Sequence, residues 1–112
     1  MRLPVSRAME VCPVEVAVAV LGGTWKLTLV KHLLDGTRRF NELGRLARLA
    51  NTKTLTRQLR ELEEDGIVRR TVYPQVPPRV EYDLTERGRS LEPLVAAMDA
   101  WGAEFTRQQQ FG

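Results

Sequence analysis

Cysteine and histidine are nearly absent from this chain: 112 residues hold one of each, Cys12 and His32. A lone cysteine excludes an internal disulfide and a cysteine-based metal cluster. His32 lies in an apolar stretch with no second histidine and no carboxylate cluster to join it, so it reads as a packed core residue. Metal binding and acid–base catalysis therefore have nothing to stand on, and no catalytic residue, metal or cofactor is expected. Long apolar runs are missing too. None approaches the roughly 20 residues that a membrane span needs, and the N-terminus lacks the basic start and apolar stretch of a signal peptide, so a cytoplasmic protein with no membrane partner is expected. Size is the last shortage, because a single domain of this length has a modest core and is marginal as a monomer.

What is present is positive charge, unevenly placed. The formal net charge of +3 is mild, yet residues 36 to 60 hold Arg38, Arg39, Arg45, Arg48, Lys53, Arg57 and Arg60 against one acid, Glu42. Fourteen of the seventeen cations are arginine, which suits fork-like phosphate contacts and bidentate guanine readout.

The segment from Asn51 to Gly66 reads as an amphipathic helix. Leu55, Leu59 and Leu62 share one stripe, and Lys53, Thr56, Arg57 and Arg60 fall on other faces. Asn51 or Thr52 can cap its start, and Gly66 can close its end in a left-handed conformation. The exposed N–H groups and positive dipole of that start would meet a polyanion. Glu61, Glu63, Glu64 and Asp65 crowd the opposite end, against the dipole preference, and nothing in the pattern explains them.

Along the rest of the chain, residues 1–11 show no period and are expected as a flexible arm. Pro13 opens a short helix so apolar that it should be buried, ending at Gly22-Gly23. Thr24 is placed to cap a central core helix from Trp25 to Leu34. Arg38-Arg39-Phe40 can pair as a very short strand, and Asn41 can cap a helix that points Leu43, Leu46 and Leu49 inward. Two helices joined by a tight turn, the second basic at its start, make a helix-turn-helix. Residues 67–73 and 79–84 then alternate at period two around Pro74, Pro77 and Pro78, a hairpin with a stiff loop at about 73–79 that serves as a wing. Thr85 caps a last helix at about 85–106, where Leu91, Leu94, Val95, Met98, Trp101 and Phe105 repeat at spacings of three and four. That stripe needs a cover, and the marginal size favours a second copy. Residues 107–112 are left as a tail.

The segments CPVEVAVAVLGGTWKLTLVKHLLDGTRRFNEL and LTRQLRELEEDGIVRRTVYPQVPPRVEYDLTERG, with the trailing Trp101-Gly102, resemble the HxlR-type winged helix-turn-helix transcription regulators, relatives of the MarR group. The resemblance covers about residues 12–102. Thr24 and Asn51-Thr52 depart from it, standing where the family commonly has Lys and Ser-Pro. It implies a mainly α fold with a small β-hairpin and a homodimer through the N- and C-terminal helices, Val14 included. It also implies a recognition helix at about 51–65 in the major groove and a wing on the backbone or minor groove.

The function expected is sequence-specific binding of double-stranded DNA by a transcription regulator. Arg38, Arg39 and Arg79 on the wing would dock on phosphates, while Lys53, Thr56 and Arg57 meet base edges, flanked by Thr54 and Arg60. The alternative is a winged-helix module for protein contacts. Cys12 has two readings: a small buried residue at a helix start, or a redox sensor whose thiol pKa is lowered by that position, as some family members are understood to work. Whether the effector is a small molecule or an oxidant stays open.

Overall fold

Residues 1–111 are described by a computed structural model of the chain. Helices α1 (Leu3–Met9) and α2 (Pro13–Leu21) pack on each other, and α3 (Lys26–Leu34) follows. After strand β1 (Arg38–Arg39) come α4 (Phe40–Leu46) and α5 (Thr52–Glu64), then the hairpin of β2 (Val68–Tyr73) and β3 (Arg79–Leu84). A short α6 (Glu86–Arg89) and the long α7 (Glu92–Phe111) end the chain. The sheet is antiparallel in the order β1-β3-β2, with Arg38 opposite Tyr82 and Val72 opposite Val80. No single helix among the described residues is long and apolar enough to cross a membrane.

The core joins Leu29, Val30 and Leu33 of α3 to Leu43 of α4, to Leu55, Leu59 and Leu62 of α5, and to Tyr82 and Leu84 of β3. The leucine stripe of α5 is thus buried as its spacing demands, each side chain contributing about 1.5–3 kcal/mol. In β3 the alternation holds as well, since Tyr82 and Leu84 turn inward while Glu81 and Asp83 stay partly exposed.

Several expectations are corrected. The N-terminal arm is no loose segment: α1 buries Val5 and Ala8, and the Arg2 side chain is bound by other elements. Two inward residues at a spacing of three give too short a pattern to register as a period, and tertiary contact stabilises the helix instead. Helix α2 is apolar apart from Glu15 but only partly covered, for Leu21 is buried whereas Val14 and Val18 are exposed. Thr24 does not cap α3, which begins at Lys26 after Trp25. Asn41 lies inside α4 rather than at its cap; Arg39 is the cap residue, and its N–H donates to Glu42 Oε1 at 3.3 Å. Leu46 is exposed, and Ala47 takes the inward place. His32 is half-buried at the edge of the core.

The last helix is also divided differently. The Thr85 hydroxyl accepts from Gly88 N–H at 3.0 Å and caps only α6, after which α7 starts at Glu92. Leu91 and Val95 belong to the chain's own core, so the free apolar face consists of Leu94, Met98, Trp101 and Phe105. Helix α7 continues through Phe111, taking in the expected tail up to that residue; Gly112 lies outside the described residues.

Candidate nucleic-acid interface

Helix α4 ends in a backbone turn that aims α5. Leu49 N–H returns to Gly44 C=O at 2.9 Å and Arg48 N–H to Arg45 C=O at 3.1 Å, with Arg48 left-handed at φ 56°. These bonds satisfy carbonyls that the helix end would otherwise leave open, and the buried Leu49 anchors the exit. Gly44 leaves this approach uncrowded, because a Cβ there would stand 3.3 Å from both Leu49 C=O and the Leu55 side chain. Asn51 then caps α5, its Oδ1 accepting from Lys53 N–H at 3.0 Å and Thr54 N–H at 3.1 Å. At the far end Ile67 N–H bonds to Leu62 C=O and Gly66 N–H to Glu63 C=O, with Gly66 at φ 76° as its position in the sequence required.

Along the outer side of this unit Lys53, Arg57 and Arg60 of α5 are exposed, with Thr54 and Thr56 half-buried beside them. A recess of about 410 Å³ lies among Thr52, Lys53, Thr56, Arg57, Arg60 and Glu61. A second, of about 550 Å³, separates α4 from the wing and is lined by Arg39, Asn41, Arg45, Pro78 and Arg79 among others. A third, of about 590 Å³, runs between α4 and the start of α5 past Arg45 and Arg48. Arg45 and Arg48 therefore belong to the same surface as the residues singled out from sequence; the count of cations in residues 36–60 was the signal for them. Among the described residues none of Arg39, Arg45, Arg48, Lys53, Arg57 or Arg60 has an ion-pair partner.

Arg38 and Arg79 have neighbours in their own chain. Arg38 is turned to its own chain: Nη1 donates to Glu42 Oε2 at 3.1 Å and Nε to His32 C=O at 3.3 Å. The Arg39 N–H and then the Arg38 side chain hold the Glu42 carboxyl below its ordinary pKa. Arg79 lies over the Tyr73 ring at 4.0 Å from its centroid, an arrangement favoured by the ring quadrupole. Its Nε is 3.5 Å from Glu81 Oε2, too long for a hydrogen bond, and has no other partner, while Asp83 is taken by Arg69 Nε at 3.1 Å. The wing tip beyond it carries the fully exposed Val76.

Two of the four acids at the end of α5, Glu61 and Asp65, are explained by elements that the period of that helix could not reveal, while Glu63 and Glu64 are exposed. Lys26, 3% exposed, places Nζ 2.8 Å from Glu61 Oε1, and Arg2 grips Asp65 at 2.6 Å.

A family model described as HxlR-like helix-turn-helix matches residues 20–110. The chain belongs to this family. Among its relatives in Bacillus subtilis, the HTH-type transcriptional regulator YybR is 57% identical over 93 residues, 83% of this chain and 74% of that protein. The HTH-type transcriptional regulator YdeP is 52% identical over 96 residues, 86% and 75% of the two chains. In three dimensions the reduced form of the redox regulator HypR superposes with a TM-score of 0.83 at 52% identity, covering 88% of this chain and 98% of that one. The oxidized form of HypR gives 0.79 at 56% identity, covering 83% and 96%. The HxlR-like chain therefore has the winged helix-turn-helix architecture of these regulators.

Cys12 occupies the joint between α1 and α2. It is half-buried, extended at φ −168°, and precedes Pro13 as the cap residue of α2.

Proposed function

We propose that this HxlR-like protein is a dimeric transcription regulator that reads double-stranded DNA with α5 in the major groove. The observation that carries the reading is the set of unpaired cations on one surface, running from Arg39, Arg45 and Arg48 to Lys53, Arg57 and Arg60 and ending beside the wing. Lys53, Thr56 and Arg57 meet base edges, while Arg39, Arg45, Arg48 and Arg79 meet phosphates. The exposed Leu94, Met98, Trp101 and Phe105 of α7, with Val14 and Val18 of α2, supply the apolar surface for a second copy.

The test uses a duplex enriched from a random pool by the wild-type protein, with a scrambled duplex beside it, over a salt series. Arg57→Ala should lose about 1–3 kcal/mol of discrimination between the two. Arg79→Ala should weaken both about equally and lower the salt slope by about one. Equal losses on both duplexes for Arg57→Ala would remove α5 from the role of reader. A flat salt dependence in the wild type would favour a protein-contact module instead.

A redox response through Cys12 is the second reading, supported by the partly exposed position of the thiol at a helix start and by the likeness to HypR. With diamide as oxidant, two Cys12 thiols from two copies would join in a disulfide, and both electrons and both protons would pass to the N=N bond. Diamide should then shift DNA affinity in the wild type and leave Cys12→Ser unchanged. An equal response in both proteins would leave Cys12 a packing role only.

A further inference from the structure

The C-terminal end of α5 is held by side chains from three directions, whereas among the described residues no ion pair reaches its N-terminal end. From α1 comes Arg2, whose Nε donates to Asp65 Oδ1 and Oδ2, both at 3.0 Å, and whose Nη2 donates to Asp65 Oδ2 at 2.6 Å and Ala19 C=O at 2.9 Å. Its Nη1 lies 3.7 Å from Glu61 Oε2. From α3 comes the buried Lys26 on Glu61 at 2.8 Å. From α6 comes Arg87, donating through Nη1 to Asp65 C=O at 3.1 Å. The Arg2 and Asp65 side chains are 11% and 4% exposed, so the fork is nearly shielded from water, where a charge-assisted pair is firm and the loss of one partner is felt.

We infer that Arg2 is a positioning residue for DNA reading, a latch by which the N-terminal α1–α2 pair sets the tilt of α5. The inference rests on the reading of α5 as the DNA-contacting helix. A helix of this length spans roughly 20 Å, so a tilt of roughly 5° about its C-terminal end displaces the first turn by more than 1 Å. Base-edge hydrogen bonds do not survive such a shift, because their distance range is only about 0.5 Å wide. Phosphate contacts by long arginines survive it by rotamer adjustment. Arg2 itself faces Asp65, Glu61 and Ala19 and touches no DNA. Its two-point grip cannot be reproduced by lysine, a single point charge. The same connection makes the joint at Cys12 part of the α5 mount, since α1 and α2 meet there and Ala19 of α2 accepts from the same guanidinium.

Arg2→Ala, Arg2→Lys and the exposed-site control Arg7→Ala are compared with wild type, all with the N-terminus untagged. Each is titrated with the enriched and the scrambled duplex, and hydrogen exchange of the DNA-free protein is followed at the amides of residues 61–67. Arg2→Ala should lose about tenfold in affinity for the enriched duplex, keep its affinity for scrambled DNA and its salt slope within twofold, and exchange faster at residues 61–67. Arg2→Lys should fall between it and wild type, and Arg7→Ala should match wild type. A general loss of fold would lower both affinities together and speed exchange throughout the core, and that pattern overturns the latch. So does exchange at residues 61–67 that is unchanged in Arg2→Ala, when the wild type prefers the enriched duplex. If the wild type enriches no duplex at all, the DNA reading fails first, and the latch falls with it because it would position nothing.

Discussion

Arg48 carries two demands that conflict. Its left-handed backbone closes the turn between α4 and α5, a conformation that costs an L-residue with a Cβ roughly 1–2 kcal/mol relative to glycine, while its charge lines the basic surface. Arg48→Gly should therefore stabilise the fold by up to about 1 kcal/mol, after allowance for the greater freedom of glycine in the unfolded chain, and at the same time weaken DNA binding. Urea denaturation and titration with scrambled DNA measure the two effects. Movement of both in the same direction would contradict the assignment. The cap of α5 was legible as one of two adjacent residues, Asn51 or Thr52, because the chemistry of a helix start is local, and the structure selects Asn51. Arg2 and Lys26 were not legible, since their partners lie 63 and 35 positions away, and no spacing rule connects them.

At the scale of elements, local pattern succeeded best for α5 and β3, where one face packs on the core. The stripe of α5 and the alternation of β3 gave their bounds to within a residue or two, and Gly66 closes α5 as expected. Pattern failed for α1, α2 and α7, whose apolar residues surround the helix or extend past the core, so that spacing alone cannot choose the inward side. The acidic end of α5 is the instructive case. Its acids oppose the helix dipole, but Glu61 is held below its ordinary pKa first by the Lys26 hydrogen bond and then by the charges of Lys26, Arg2 and Arg57, against desolvation. Because the folded-state pKa is depressed, this stabilisation is complete above the usual carboxylate range and is lost as pH falls through the lowered value. Glu61→Gln should consequently be less stable than wild type near neutrality, and the difference should shrink as the medium is acidified. Urea midpoints across that range provide the measurement, and a gap that stays constant with pH would remove Glu61 as the titrating partner of Lys26.

For the whole molecule the deciding feature is how α7 leaves the core. Past Val95 its residues are exposed apart from the half-buried Gly102, Trp101 stacks on Phe105 with ring centroids 5.4 Å apart, and the Lys31–Asp99 pair at 2.6 Å is itself exposed. Surface pairs of this kind contribute little, about 0–1 kcal/mol. Trp101→Ala should weaken the proposed dimer by about 2 kcal/mol or more, visible as dissociation at higher protein concentration in sedimentation velocity, and a wild type that is monomeric at micromolar concentration would rule the interface out. In the proposed dimer the distal part of α7, which the single chain leaves exposed, would gain packing, and with it order, from the second copy. Folding of that segment and pairing of the chains then become a single mass-action event, and dilution should lower helical ellipticity along with molecular weight. A regulator built this way senses its own abundance. Occupancy of its DNA by the proposed dimer would rise more steeply than in proportion to protein concentration, and loss of binding on dilution would accompany the loss of helix.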